Sequence, residues 1–367
     1  MGSLFKNTVS TSLLTIIMLM SSTSYAAPTK NSTEEPMLES YYPAYPPTTI
    51  RSPFTEETVK RGEYLAKMGD CISCHTNVKG GTPAYAGGLS IATPFGTFYT
   101  PNITPDKETG IGQWTEQDFI RALKEGRDPK GRNYFPVFPY VYFANTSDED
   151  LRALYAYFMS LPAVKQENIP LPFPFSVPGA RSSLLGWKLL FFYPNELLQN
   201  DPTQSKVWNR GKYIVDGLGH CSLCHTPLNP LGSPKTQYYL TGGFIDGYWA
   251  PNITKHGLES ATEAEVANVF VKNELINQAG PVAGPMAEVN HNSLNYMTDD
   301  DRMAIAVYLK TVVSDEPNGL KPSQEKPNLR RGKEVYQAAC VLCHQNGEMA
   351  APRIGNGASW YKRLKAS

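Results

Sequence analysis

Hydrophobic and polar positions along the chain fall into three similar stretches. Apolar residues at helical spacing follow Arg61-Gly62-Glu63-Tyr64-Leu65, then Arg210-Gly211-Lys212-Tyr213-Ile214, then Arg331-Gly332-Lys333-Glu334-Val335, and each run leads to a cysteine pair. The spacing predicts a helix starting at each Arg-Gly and ending at the cysteines. In the first two stretches the pattern continues. A middle helix is expected from Trp114-Thr115-Glu116-Gln117-Asp118-Phe119 and from Ala261-Thr262-Glu263-Ala264-Glu265-Val266. A last amphipathic helix follows an acidic turn: Ser147-Asp148-Glu149-Asp150 before Leu151 to Phe158, and Thr298-Asp299-Asp300-Asp301 before Arg302 to Leu309. Ser or Thr can cap the open amides there, and the carboxylates complement the helix dipole. Pro101-Asn102-Ile103-Thr104 and Pro251-Asn252-Ile253-Thr254 stand at the same interval after Cys71 and Cys221, so the two copies should fold alike.

These patterns imply an all-α protein of tandem small domains, two complete and one partial. The boundaries fall at 1–26 for a signal peptide, 27–53 for an extended lead segment on the surface, and 54–165 for domain one. A linker at 166–203 leads to domain two at 204–315, and a second linker at 316–328 to a partial domain three at 329–367. The signal peptide rests on Lys6, the apolar run Leu13 to Met20, and the small-x-small site Ser24-Tyr25-Ala26. That run is short of the roughly 20 apolar residues of a membrane span, with an uncleaved anchor as the other reading. The first linker holds a proline-rich extended connector, Pro170 to Pro178, and an apolar stretch from Ser183 to Tyr193. Either that stretch packs on the domains or it meets a partner or a membrane surface.

The chemistry lies in the cysteines. All 6 occur in Cys71-Ile72-Ser73-Cys74-His75, Cys221-Ser222-Leu223-Cys224-His225 and Cys340-Val341-Leu342-Cys343-His344. A given cysteine would meet this pattern by chance on the order of 3 times in 10,000. It is the attachment signature of haem c: one helical turn presents two thiols to the vinyl groups of one porphyrin, and the following imidazole (His75, His225, His344) reaches the iron. A zinc or iron–sulfur centre needs about four converging ligands, whereas these pairs are far apart and each has its own histidine. A thioredoxin-like pair wants a βαβ context that is missing here. Charge adds little, since 34 basic and 34 acidic residues balance and give no reason to expect nucleic acid as a partner. Pro 30 and Gly 29 suit short helices joined by long loops around a flat cofactor.

Longer stretches carry a family resemblance. Thr93 to Asp106, Thr109 to Thr115, Asp148 to Tyr157, Gly219 to Thr226 and Gly284-Pro285-Met286 resemble the multihaem cytochrome c subunits of membrane-associated dehydrogenases. Those dehydrogenases act on alcohols, gluconate or fructose, or are molybdenum hydroxylases of the nicotinate or aldehyde type. The resemblance covers about residues 55–315 and implies class I cytochrome c domains. It implies an exported, periplasmic electron-transfer subunit, peripherally attached to the inner membrane in one reading. Electrons would pass from a periplasmic dehydrogenase catalytic subunit to quinone or another respiratory-chain acceptor, so the chain would not itself be the catalyst. A free-standing electron carrier and a dihaem peroxidase are the alternatives.

The same resemblance makes Met286 the expected distal ligand of haem two, with His256, His291 and Met297 as alternatives. In domain one the corresponding loop, Pro136-Val137-Phe138-Pro139-Tyr140, offers Phe138, which cannot bind iron. Met68 and Met159 read as core residues there. The third segment resembles the opening of a c5-type cytochrome. Its Met349 is too close to His344 to cross to the other haem face, and because the sequence ends at Ser367 a truncated domain that holds haem poorly or not at all is the competing expectation.

Overall fold

The computed structural model describes residues 43–194, 199–245, 248–276 and 281–320, with isolated positions 336, 341–345 and 353. The signal-peptide reading and most of the third segment lie outside the described residues. The first set of elements is α1 (Glu56–Met68), α2 (Cys71–Cys74), β1 (Ser90–Thr93), β2 (Gly96–Tyr99), α3 (Glu116–Glu125), α4 (Tyr140–Phe143) and α5 (Asp148–Ser160). After α6 (Leu184–Phe191), the order repeats as α7 (Lys206–Asp216), α8 (Ser222–His225), β3 (Gly243–Ile245), β4 (Tyr248–Ala250), α9 (Glu263–Lys272), α10 (Pro285–Asn292) and α11 (Asp299–Leu309).

The fold is helix-rich but not all-α. Each set carries one antiparallel hairpin, β1 with β2 pairing Ser90 to Tyr99 and β3 with β4 pairing Gly243 to Ala250. Strands of three and four residues are too short to show alternation against a helical background, which is why the pattern did not reveal them. The expected helix starts are also late by a turn. Thr55 and Ser205 cap α1 and α7, accepting from the amides of Thr58 and Trp208, so the helices begin before Arg61 and Arg210. Nor do those helices run into the cysteines. Asp70 and His220 adopt left-handed backbone (φ 47° and 37°) and split each long helix from the turn that bears the motif. The middle and last helices start as expected: Thr115 with Asp118 and Thr262 with Glu265 form capping boxes, and Ser147 and Thr298 cap α5 and α11.

Two helix crossings make the core of the sets. α1 lies on α5 and α7 on α11, and a Cβ on Gly62 would sit 1.9 Å from the Ala153 carbonyl oxygen, as one on Gly211 would from that of Ala304. Backbones this close need glycine. The preceding arginine locks each crossing: Arg61 Nε donates to Asp150 at 2.8 Å, and Arg210 Nε and Nη2 donate to Asp301 at 2.8 and 2.7 Å. The tyrosine two residues on reaches the other set, with Tyr64 donating to Asp301 at 2.7 Å and Tyr213 to Asp150 at 2.6 Å. Thus the repeated Arg-Gly-x-Tyr joins each helix pair to itself and the two pairs to each other.

Flanking segments pack more than their composition suggests. In the lead segment, Thr49 N donates to the Ser160 carbonyl at 2.8 Å and Arg51 to that of Met159 at 2.7 Å. Tyr45 inserts further, donating to the Asn292 carbonyl, with the Lys67 ammonium 4.8 Å from its ring centre. Helix α6 packs on one side and is open on the other. Leu184 is buried and the Trp187 indole N–H meets the Leu231 carbonyl at 2.9 Å, whereas Leu189 is 81% exposed.

The crossing gives a test of sign. In an exposed helix interior, Gly→Ala stabilises by about 1 kcal/mol. Gly211→Ala should instead destabilise by about 1–3 kcal/mol or more, because overpacking against backbone has nowhere to relax. A guanidinium denaturation midpoint that stays level or rises would show that the helices do not cross this closely.

Candidate haem-binding sites

Both described cysteine motifs adopt the same local form. Cys71 and Cys74 bracket the single turn α2, Cys221 stands at the N-cap of α8 with Cys224 inside it, and none of the four is in a disulfide. The two sulfurs of each pair therefore lie one helical turn apart on one side of that turn. Burial, together with Asp216 and Cys224, pushes the Cys221 thiol up to about 12, and burial with Asp70 and Cys74 raises Cys71 in the same way. Such thiols are the reverse of the low-pKa nucleophile of a redox-active pair.

The histidines are held by backbone. His75 Nδ1 lies 2.8 Å from the Pro101 carbonyl, and His225 Nδ1 lies 2.7 Å from the Pro251 carbonyl. A carbonyl only accepts, so Nδ1 carries the proton and the lone pair sits on Nε2, the tautomer that binds a metal. Burial lowers both imidazole pKa values and so favours the neutral ring, while the carbonyl bond opposes it in part. These carbonyls, from the repeated Pro-Asn-Ile-Thr, were missed as functional groups, although the equal interval was their signal.

The loop that supplies them is built twice. Each hairpin ends within two residues of its proline, at Tyr99 and Ala250. Asn102 Oδ1 accepts from the Thr104 amide at 2.9 Å and its hydroxyl at 2.8 Å, and Asn252 Oδ1 from those of Thr254 at 2.9 and 2.7 Å. Asn102 Nδ2 then donates to the Val164 carbonyl and Asn252 Nδ2 to that of Pro317, each at 2.8 Å, fastening the loop to the chain beyond the last helix. The same bracing recurs at Gly87 and Gly242, whose amides meet the His75 and His225 carbonyls at 2.7 and 2.8 Å.

The distal sides differ. Met286 occupies the first turn of α10, partly buried against the core, behind Gly284 at φ 62° where a Cβ would press on the Tyr248 ring at 2.6 Å. Met297 is a buried core residue and His256 is exposed. In the first set Phe138 sits among Tyr134, Tyr140 and Phe143, with ring centres 5.5, 6.4 and 5.7 Å away. Met68 is buried in the core, as its sequence position suggested. Of the third motif, Val341–His344 forms a helical turn, while Cys340 and Met349 lie outside the described residues.

Among the described residues no three His, Cys, Asp or Glu side chains converge as a protein-only metal centre would need. Two thiols per turn with one Nδ1-protonated imidazole instead fit an iron that arrives inside a macrocycle. The cytochrome c family profile matches residues 59–162. The chain belongs to the cytochrome c family. The gluconate 2-dehydrogenase cytochrome c subunit of Pantoea cypripedii is 38% identical over 325 residues, covering 82% of this chain and 72% of that protein. The fructose dehydrogenase cytochrome subunit of Gluconobacter japonicus is 36% identical over 337 residues, covering 82% and 68%. A nicotinate dehydrogenase subunit of Pseudomonas putida is 42% identical over 299 residues, or 79% of this chain, which spans only 24% of that protein's length. Covalently bound haem c is thus the cofactor, and it supplies an iron that takes and gives one electron.

The carbonyl clamp has a measurable consequence. Asn252→Ala removes three hydrogen bonds beside Pro251 and should cost about 1–3 kcal/mol of stability. A slackened Nδ1–H bond also makes the imidazole a poorer donor, which favours ferrous iron. The reduction potential of one haem should therefore rise in a potentiometric titration, while the others stay fixed. Unchanged potentials in all components would mean the clamp does not act on the ligand.

Proposed function

We propose that this cytochrome is the electron-transfer subunit of a periplasmic dehydrogenase complex, accepting electrons from the catalytic subunit and passing them to quinone or another respiratory-chain acceptor. In this reading 54–165 and 204–315 are two complete haem domains and 329–367 is a partial third. Cys71 and Cys74, Cys221 and Cys224, and Cys340 and Cys343 attach the haems, and His75, His225 and His344 are the proximal ligands. The observation that carries it is the paired clamp of His75 on Pro101 and His225 on Pro251, which sets the metal-binding tautomer at both motifs. The chain's similarity to dehydrogenase cytochrome subunits supports the choice of partner. Covalent attachment of haem to thiols requires export, which supports the periplasm. No described helix is long and apolar enough to cross a membrane. The open face of α6, with Leu185, Leu189 and Leu190 exposed, offers apolar surface for a peripheral contact.

Met286 is proposed as the sixth ligand of haem two. It stands partly buried at the start of a helix behind a tight glycine turn, whereas His291 is partly buried in the last turn of the same helix, Met297 is used in the core and His256 is in solvent. Haem one has no thioether in its distal loop, where Phe138 sits in an aromatic cluster. The intact mass of the mature protein should exceed the apo mass by two or three haem increments, and one or none would overturn the assignment. Met286→Ala should abolish the methionine-to-iron charge-transfer absorption of the oxidised protein. Partnership is tested by adding each candidate substrate to membranes containing the tagged cytochrome. Its haems should become reduced only when the co-purifying dehydrogenase is present, and reduction without any such enzyme would favour a free-standing carrier.

A further inference from the structure

The helix that leads into the second motif buries a carboxylate for which neither haem attachment nor iron ligation has a use. Asp216, the last residue of α7, is 3% exposed. Its side chain accepts from the Tyr239 hydroxyl and from that of Tyr308 at 3.2 Å, and Lys212 Nζ lies 3.9 Å away. It also lies within electrostatic reach of Cys221, whose thiol its charge raises. Lys212 on its own helix, Tyr239 before the hairpin and Tyr308 on α11 are the titratable groups that face it, while Cys221 at the head of α8 becomes a thioether once haem is attached.

The first set does not reproduce this arrangement. Counting from Arg61 and Arg210, Glu63 and Lys67 occupy the places of Lys212 and Asp216, so the ion pair is reversed along the helix. Lys67 Nζ meets Glu63 at 2.7 Å and lies over the rings of Tyr45 and Tyr296, at 4.8 Å from each. A cation therefore stands near the first attachment site where an anion stands near the second. The first site has a different buried acid, Asp70, which accepts from Ser73 Oγ at 2.6 Å, so any effect must be read haem by haem.

We propose that Asp216 is a redox-linked proton site: it takes up one proton from solvent when the iron held by His225 gains an electron. The inference rests on the proposed attachment of a haem at Cys221, Cys224 and His225. An electron entering from the dehydrogenase turns ferric to ferrous iron and removes one positive charge from the site. The carboxylate then loses an attractive neighbour and binds H⁺ more tightly, becoming a neutral acid. Linkage makes the effect reciprocal, so protonation of Asp216 favours the ferrous state. Burial already pushes this carboxyl up, against the opposing pull of the phenols and Lys212. A further rise on reduction opens a pH window between its oxidised-state and reduced-state values. Within it electron and proton move together, and the reduction equilibrium falls up to tenfold for each unit of rising pH.

The test is a spectroelectrochemical titration of the full holoprotein from pH 5 to pH 9, with haem two followed through its methionine charge-transfer signal. In the native protein the potential of haem two should fall with pH across the window, and in Asp216→Asn that dependence should flatten. Haem propionate titration, common to every haem, would persist in the variant. A pH-independent haem two in the native protein, or an unchanged slope in Asp216→Asn, overturns the proposal. Should Asp216→Asn lose haem, Tyr239→Phe removes one donor to the carboxylate and must move the window to higher pH; no movement overturns it equally. Mass spectrometry separates the two readings, since a missing second haem sinks the attachment assignment, whereas a haem present with a flat profile sinks only the proton site.

Discussion

Two carboxylates, Asp150 and Asp301, hold the described structure together. Each sits in the first turn of the last helix of its set, accepts an arginine from the helix crossing it, and accepts a tyrosine from the other set. The arginine fixes the crossing at which glycine lets backbone meet backbone. The tyrosine fixes how one crossing stands against the other. Because α1 and α7 end only a few residues before Cys71 and Cys221, whatever locks those helices also locks the two attachment turns. A charge-assisted bond with a buried acceptor is among the stronger polar contacts available, at roughly 1.5–3 kcal/mol. Paired reciprocally, such bonds resist hinge motion between the sites from both directions.

Much of this was legible in the sequence, and what was legible was repetition. The cysteine motifs, the equal interval to Pro-Asn-Ile-Thr, and the capping residues Thr115, Ser147, Thr262 and Thr298 all mark local structure that depends on few neighbours. What was hidden depends on contact across the fold. The carbonyls of Pro101 and Pro251 act through backbone, which no side-chain pattern records. The hairpins carry too few residues to declare a period. The breaks at Asp70 and His220 put residues other than glycine in left-handed backbone, and the signal for them was the glycine that ends each helix, Gly69 after α1 and Gly217 after α7. Arg-Gly-x-Tyr was visible as a repeat, but its division of labour, with Arg inward, Gly at the crossing and Tyr across, needed the partner helix to be seen. Glu334 stands where a third tyrosine would be, so the third copy lacks the group that joins the first two.

Duplication of the frame makes the unequal residues informative. Proximal geometry agrees between the sets to about the precision of a hydrogen-bond length, so differences between the two irons must come from elsewhere. Under the proposed ligand assignment, distal chemistry is one source. A thioether stabilises ferrous iron, and an aromatic cluster around Phe138 supplies no ligand, only an apolar wall. Charge near the attachment edge is the other. The exchange of Glu63–Lys67 for Lys212–Asp216 leaves an i,i+4 ion pair on each helix, so helix stability hardly changes. The sign of the inner residue does change.

That pattern separates two demands on a multihaem carrier. The frame must be rigid and the same at each site, because electron transfer between fixed groups gains nothing from reorganising backbone. The local field must differ, because identical potentials would give electrons no direction. Residues at the crossings and loops meet the first demand and appear in both copies: Gly62 and Gly211, Asn102 and Asn252, Asp150 and Asp301. Residues close in sequence to the attachment turns are among those that diverge: Lys67 stands against Asp216 and Asp70 against His220, while Phe138 stands against the Met286 loop. Burial amplifies the second class, since a charge in a low-dielectric setting acts on its neighbours several times more strongly than one in water. A single exchange there can shift one haem while the scaffold, fastened at Asp150 and Asp301, stays as it was.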